Sequence, residues 1–498
     1  MKLAELRCFK FWLPAVVLCS CVCIAPVACA ELRVGVAAVE ITPPVGAPMA
    51  GYYSARGSTG VHDPLRATAM VIEQGDTRVA LVALDLISTT KELVTAAREL
   101  IAENPGIPAD AVMISASHTH TGPSIRRTGR DAEDIQNASA EVRSYLQELP
   151  ARIATAVRRA AEQTREARLE AAVDSVPGVA FNRRFEMTDG TVGWNPPKRS
   201  PQIVRPAGPT DDDVPVVVVR STDGDPLAVY VNFAMHLDTV GGTQVSADYP
   251  APMAELLRRS LSADLVTLFT IGAAGDINHR DVHWADRQKG IAEATRIGTH
   301  VASAALRAVR QAEPVAEGPL RFRRRMIELR PSPLTDEDVQ WASETSRRRD
   351  SGQRVAFLDQ VRAGRIADVA ALDGRPMEGE VQVISLGDGL AWVGLPGEIF
   401  VELGLAIKQH SPFRQTMIAE LSGGSVGYVP TRRAYSEGNY EAVSARVGEG
   451  SGERLVEAAL AMLTEFHRRG RRTGPNGPHV SRRLGPSDAG ERVGSSRQ

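Results

Sequence analysis

Apolar positions along the chain fall into alternating stretches, continuous runs and helical stripes, and their order predicts the elements. Positions 34–41 alternate and stop at Thr42-Pro43-Pro44, 78–86 is a largely apolar run, 92–103 has helical spacing, and 112–116 is a second buried run. Strand, helix, strand in that order predicts a crossover whose two parallel strands end at one edge. Asp85 and His118 are then neighbours at that edge. Further on, Val142, Leu146, Leu149, Ile153 and Val157 form a helical stripe that Pro150 is expected to bend. Positions 214–219 and 228–233 read as adjacent strands. The buried runs 265–271 and 390–395 each lead into a glycine-rich turn.

Helices are expected at 252–260, 286–311, 337–346, 401–409 and 453–466. This interleaving predicts an α/β (mixed α+β) class, with one large domain over 31–467 and a mixed, partly parallel sheet flanked by helices. Inside it, 321–375 is charged and reads as a mostly helical surface insertion or lid. Positions 468–498 are rich in Arg, Gly, Pro and Ser with few large apolar residues, so they cannot offset the entropy of ordering and read as a disordered tail.

Composition supports this outline: of 498 residues, 43% are hydrophobic and 24% charged, enough for a large core. The start differs from the rest. Lys2, Arg7 and Lys10 precede an apolar run over 11–27, and Ala28-Cys29-Ala30 supplies a cleavage pattern, so 1–30 reads as a signal peptide. The protein is expected to be exported, periplasmic or secreted, with no stable membrane span after cleavage. All five cysteines (Cys8, Cys19, Cys21, Cys23, Cys29) lie in that leader. The body then has no thiol, which excludes disulfides, thiolate nucleophiles and cysteine-bound zinc. A formal net charge of −2 gives no sign of a nucleic-acid partner.

Candidate chemistry gathers where buried runs end. Ser117-His118-Thr119-His120-Thr121-Gly122-Pro123 follows 112–116. If strand geometry persists, both imidazoles project from one face, a sensible place for a metal ligand. His236 ends the run 228–235, with Asp238 two residues on. Pro396-Gly397-Glu398 puts a carboxylate where a turn meets a helix, as a ligand or as a capping acid. Gly272-Ala273-Ala274-Gly275-Asp276-Ile277-Asn278-His279 is a small-residue turn whose backbone amides are expected to face an anion or oxyanion. There is no Gly-x-Ser-x-Gly elbow, so metal-activated water is the better-supported nucleophile.

The order of these turns resembles the catalytic domain of the neutral/alkaline (non-lysosomal) ceramidase family, over about residues 32–465. The resemblance rests on Val34-Gly35-Val36-Ala37-Ala38-Val39-Glu40-Ile41-Thr42-Pro43 with Gly51-Tyr52, on the Ser117 to Pro123 segment, and on Asn182-Arg183, Phe233-Ala234-Met235-His236 and Ser246-Ala247-Asp248. Gly275-Asp276, Pro396-Gly397-Glu398, Gly427-Tyr428-Val429-Pro430-Thr431, Tyr435 and Tyr440-Glu441-Ala442 complete it.

The resemblance implies one Zn2+ ion held by His118, His236, Glu398 and Tyr428, with His120, Arg183 and Tyr440 lining the pocket. His120 is then the general acid/base, and Arg183 orients substrate or balances charge. It further implies a zinc-dependent amidohydrolase that cleaves an N-acyl amide, ceramide-like lipid by family, through metal-activated water. Two departures stand out. Asn278 occupies the place of the family's serine in Gly-Asp-x-Ser-Pro-Asn and can donate a hydrogen bond to an oxyanion but cannot act as a nucleophile. With only one helix and a polar tail after these motifs, the family's C-terminal immunoglobulin-like domain is expected to be absent. Two alternatives stay open: a metallohydrolase for a different amide or ester, and a non-catalytic exported zinc-containing binding protein.

Overall fold

Buried β-branched and aliphatic runs such as Asp213–Ser221 and Pro226–Phe233 can satisfy their backbone only in a sheet covered on both faces, and this decides the architecture. The computed structural model describes residues 31–126, 132–316 and 318–473. The expected leader, 1–30, and positions 474–498 of the expected tail lie outside the described residues.

The main sheet is mixed and has nine strands. Its spatial order is Val266–Ile271, Pro226–Phe233, Asp213–Ser221, Arg165–Ser175, Leu32–Glu40, Arg66–Gln74, Thr77–Leu84 and Val112–Ala116, with Glu313–Pro314 added beside Arg165–Ser175. The interior pairings are antiparallel, and each end is parallel. Thr77–Leu84 pairs with Val112–Ala116 through the helix Lys91–Glu103, and Pro226–Phe233 pairs with Val266–Ile271 through the helix Pro250–Leu261. The first of these is the predicted crossover. Val266–Ile271 packs against Arg66–Gln74, Thr77–Leu84 and Val112–Ala116, so the two ends of the sheet approach each other.

A second sheet runs Leu320–Leu329, Met377–Leu386, Leu390–Gly394, Gln415–Ala419. Its last pair is parallel and joined by the helix Val401–His410. Asn232 Nδ2 donates to the Ile418 carbonyl at 2.8 Å, and the Glu420 amide donates to Ile271 at 3.2 Å. The sheets therefore abut where Ala116, Phe233, Ile271, Gly394 and Ala419 end. Strand carboxyl ends are where α/β folds place ligands.

Helices cover the sheets. Ala140–Glu162 is capped by Ser139, continues through Pro150 and buries Val142, Leu146, Leu149, Ile153 and Val157. Ile291–Gln311 begins five residues later than the periodicity suggested, after Gly290 at φ 104°. Asp336–Asp350, with a Thr335–Asp338 capping box, and Phe357–Ala370 form a helical pair.

The charged stretch 321–375 is thus not mostly helical from its start. Leu320–Leu329 is a full strand against Met377–Leu386. Its arginines misled the reading because they lie on an edge strand, where charge guards against further pairing. There Arg323 and Arg325 meet Glu465, and Arg324 meets Asp110 and Glu380. The last helix, Ser451–Thr473, likewise runs past the expected boundary at 467. Among the described residues no helix is long and apolar enough to cross a membrane.

Candidate metal centre and active-site pocket

His118 does not keep strand geometry. The strand ends at Ala116, and His118 takes φ 77°, a left-handed conformation uncommon outside glycine. The reversal is held by its neighbours. The His118 amide donates to Leu86 O (2.8 Å), the His120 amide to Leu237 O (3.0 Å), and Thr119 forms a bridge with Leu237. The Thr119 and Thr121 hydroxyls both donate to the Ser246 carbonyl, at 2.6 and 3.1 Å. The two imidazoles therefore converge through a turn rather than along a strand face, with Nε2 atoms 3.3 Å apart. The predicted neighbourhood with Asp85 is met through Leu86 and Ile87, since the Asp85 carboxylate turns away to accept the Arg66 amide at 2.8 Å.

His118 Nδ1 donates to the Ile87 carbonyl (2.6 Å) and His236 Nδ1 to the Ala274 carbonyl (2.8 Å). A carbonyl can only accept, so in the neutral ring the proton sits on Nδ1 and Nε2 is left as a lone-pair atom, which in His236 also accepts from Arg183 at 3.2 Å. Both lone pairs face Glu398 Oε2, at 3.4 Å from His118 and 3.3 Å from His236. That oxygen is buried and makes no hydrogen bond. Burial, with Arg183 adding to it, lowers the His236 pKa to about 3, so this ring is neutral near pH 7.

Three lone-pair atoms so spaced match a cation site. Ligands about 2.0–2.1 Å from a tetrahedral centre lie about 3.3–3.4 Å from one another. The Nδ1–carbonyl bonds are the orienting partners that metal-binding histidines use. The ligand atoms of His118, His120 and His236 also lie within 4.8 Å of one another, so this buried triad can hold a metal ion too.

Glu398 and Tyr428 are register partners in a short parallel ladder, Glu398–Ile399 against Tyr428–Val429. Gly275 lies directly behind it. A Cβ there would stand 2.5 Å from the Glu398 carbonyl oxygen, so only glycine allows this approach. Burial, then the Glu398 charge, push the Tyr428 phenol well above its usual pKa.

Arg183 binds four groups at once: Glu441 (2.7 Å), His236 Nε2 (3.2 Å), the Gly275 carbonyl (2.7 Å) and the Tyr428 hydroxyl (3.1 Å). Glu441, fully buried, also takes Arg184 at 3.0 Å. Tyr440 packs edge-on against Tyr428 and stacks on Trp194, with centroids 4.4 Å apart, and Phe357 lies beside both.

His120 has a different setting. Its Nδ1 is buried, unpaired and 4.0 Å from Asp238 Oδ1. Asp238 in turn accepts from the Tyr52 hydroxyl and lies 3.4 Å from Lys289. Burial lowers the His120 pKa to about 4 although Asp238 opposes it, so the ring is neutral near pH 7. Gly51, at φ 96°, packs onto the ring.

The structure thus brings seven of the eight anticipated residues together. Asn278 stands apart: its amide donates to Asn195 (3.0 Å) and accepts from the Arg280 backbone (2.9 Å). The small-residue turn also behaves differently from the expectation. The Ala274 amide goes to Glu420 and the Gly275 amide to Ile399 O, so the turn presents carbonyls, to His236 and Arg183, instead of free amides. The partners missed are Glu441, noted only as the neighbour of Tyr440; Asp238, noted without a role; and Trp194 and Phe357, which carry no local signal.

Residues 32–248 match the family described as neutral/alkaline non-lysosomal ceramidase, N-terminal. No curated protein sequence matches the chain. Among solved structures, the neutral ceramidase from Pseudomonas aeruginosa is similar at TM-score 0.70 and 19% identity, covering 88% of this chain and 75% of that one. A ceramidase solved in complex with C2 gives TM-score 0.68 and 17% identity, covering 88% and 76%. The resemblance carried by the motifs is therefore matched on both counts: residues 32–248 are similar to the neutral/alkaline non-lysosomal ceramidase N-terminal family, and the chain is similar in fold to neutral ceramidases.

Proposed function

We propose that the protein is an exported zinc-dependent hydrolase that cleaves the amide bond of N-acyl lipids of the ceramide type. The observation that carries this reading is that the buried Glu398 Oε2, which makes no hydrogen bond, lies 3.4 Å from His118 Nε2 and 3.3 Å from His236 Nε2. The family match over 32–248 and the shared fold support the substrate class. The basic-then-apolar start at 1–30 supports export.

His118, His236, Glu398 and Tyr428 would hold the ion. Once bound, zinc supplies a Lewis acid for the amide carbonyl and acidifies water. The chain's own groups do the rest. Neutral His120 takes a proton at Nε2 and returns it to the leaving amine nitrogen, while Asp238, 4.0 Å from Nδ1, offsets the imidazolium that forms. Arg183, fixed by Glu441 and Gly275, keeps its charge where negative charge develops on the acyl oxygen. Tyr440 and Trp194 give the substrate an aromatic wall. Asn278 supports Asn195 and the Arg280 turn in this scheme and touches no reacting atom.

The test is metal analysis of the purified protein together with hydrolysis of a fluorescent short-chain ceramide and other N-acyl amides, with and without a chelator. One bound zinc and chelator-sensitive amide cleavage are expected. Stoichiometric zinc with no cleavage of any amide would favour a binding protein instead.

A further inference from the structure

We infer that the active-site pocket contains an anion subsite built on Arg126 and Arg446, so that its preferred substrate is an N-acyl amide bearing a carboxylate, sulfonate or phosphate. This rests on the hydrolase reading above and narrows its substrate.

The pocket has a volume of about 670 Å³, and its floor is formed by His118, His120, Glu398, Tyr428 and Tyr440. Its outer wall comes partly from the helices Asp336–Asp350 and Phe357–Ala370, and there the charges are unbalanced. Arg126, Arg349, Arg365 and Arg446 lie there with Asp368 as the one acid of that wall among the described residues. Arg349 is matched by Asp350 at 2.9 Å, but the others are poorly met. Arg446, with its side chain 16% exposed, lies 3.8 Å from Asp368 and reaches the Ser425 carbonyl only at 3.4 Å. Arg365 keeps a buried Nε with no hydrogen-bond partner. Arg126 makes no ion pair among the described residues.

Burial, and next to it the charge of Arg126, pull the Arg446 guanidinium below its usual pKa. Two like charges held together in a partly desolvated wall cost free energy unless an anion joins them. Arginine's planar fork suits carboxylate, sulfonate and phosphate oxygens alike. A neutral lipid headgroup would leave these donors unmatched.

Position supports the assignment. A second cavity of about 650 Å³ adjoins the first, and the two share Ser88, Arg126, Ser425 and Arg446. Its wall carries Leu93, Leu146, Leu149, Met326, Leu372 and Met377 among polar and charged residues that include Lys91, Glu92 and Glu378. The arginine pair therefore stands between the candidate metal centre and a space suited to a hydrocarbon chain. The reaction itself is unchanged. The oxygen of water bonds to the acyl carbon, the C–N bond breaks, and a proton goes to the amine nitrogen.

Three near-isosteric amides test the subsite: N-lauroylglycine, N-lauroyltaurine and neutral N-lauroylethanolamine. The zinc-loaded protein should give kcat/KM at least about 10-fold higher for an anionic amide than for the ethanolamide, as one charge-assisted bond implies. The glycine and taurine arms separate carboxylate from sulfonate. Arg126→Gln and Arg446→Gln, each checked for folding by circular dichroism, should cut that ratio by about 10-fold. Equal or better turnover of the ethanolamide overturns the subsite and leaves the hydrolase reading standing. If none of the three is cleaved, the hydrolase reading fails only where the short-chain ceramide is also left intact, and in either case calorimetric titration of the metal-depleted protein decides the subsite alone. Tighter binding of lauroylglycine than of the ethanolamide, weakened in Arg446→Gln, supports it; equal binding overturns it.

Discussion

Glu398 and Tyr428 face each other across a parallel ladder only two residues long, closed by the Glu398 amide to Gly427 O (3.0 Å) and the Phe400 amide to Val429 O (3.2 Å). Backbone hydrogen bonds thus set the spacing between a carboxylate and a phenol 30 positions apart, and the carboxylate reaches both histidines. A site organised this way does not depend on loop entropy, because its groups are fixed before any ligand arrives.

The first prediction follows directly. Glu398→Ala should weaken zinc binding by more than about 100-fold, beyond the loss typical for orienting partners of a metal ligand, whereas Tyr428→Phe keeps the ladder and should cost less. Chelator competition measures both. An alanine variant that retains stoichiometric zinc against the chelator would remove Glu398 from the ligand set.

Gly51 gives a second prediction, about geometry alone. A Cβ there would lie 2.8 Å from His120 Cγ, and the backbone already sits at φ 96°. Gly51→Ala should therefore lower kcat by at least about 10-fold by displacing the imidazole, with about 1 kcal/mol or more of backbone strain. Zinc content should be unaffected. Wild-type kcat in this variant would show that the position of His120 does not matter.

How much of this was legible depends on the physics behind each feature. The crossover from Thr77–Leu84 to Val112–Ala116 was legible because strand and helix periodicities differ and the runs are long. The strand Leu320–Leu329 was not, since arginines on an edge strand look like a solvated helix. The gathering of His118, His236, Glu398 and Tyr428 was implied by the family resemblance of the motifs, the strand-end pattern alone leaving it open. The left-handed His118, the carbonyl-presenting turn at Ala274 and Gly275, and Asp238 facing His120 could not. Each depends on contacts between segments distant in the chain, such as His120 with Leu237 and Asp238 and Ala274 with Glu420, to which local pattern is blind. Arg446 was missed for the same reason, having no partner nearby in sequence.

Glu420 gives a third prediction. It is fully buried, and burial holds its carboxyl well above the usual range, which favours the neutral acid. One oxygen accepts both the Ala274 amide (3.2 Å) and the Ile399 amide (2.7 Å), tying the turn that orients His236 to the ladder that carries Glu398. Glutamine has nearly the shape of a protonated glutamate and keeps that acceptor. Glu420→Gln should stay within about 1 kcal/mol of wild type in urea unfolding, and Glu420→Ala should lose about 1–3 kcal/mol by leaving two amides unpaired. Equal stability of the two variants would mean that this acceptor holds nothing together.

Asp85 gives the last, through pH. Burial raises its pKa to about 7, against the opposing hydrogen bond from the Arg66 amide, whereas the unfolded chain has an ordinary value near 4. A folded pKa above the unfolded one means that the folded state holds the proton more tightly. The stabilisation is then complete below about pH 4 and is lost progressively as pH rises to about 7, where both states are ionised. Asp85→Asn keeps an oxygen for the Arg66 amide and cannot titrate. The stability of wild type minus that of Asp85→Asn, measured by urea unfolding at pH 4.5, 5.5, 6.5 and 7.5, should therefore fall steadily across the series and flatten at its upper end. A difference that is constant or rises with pH would mean that Asp85 is not held neutral by the fold, and the steric link between this strand end and His118 would have to act without it.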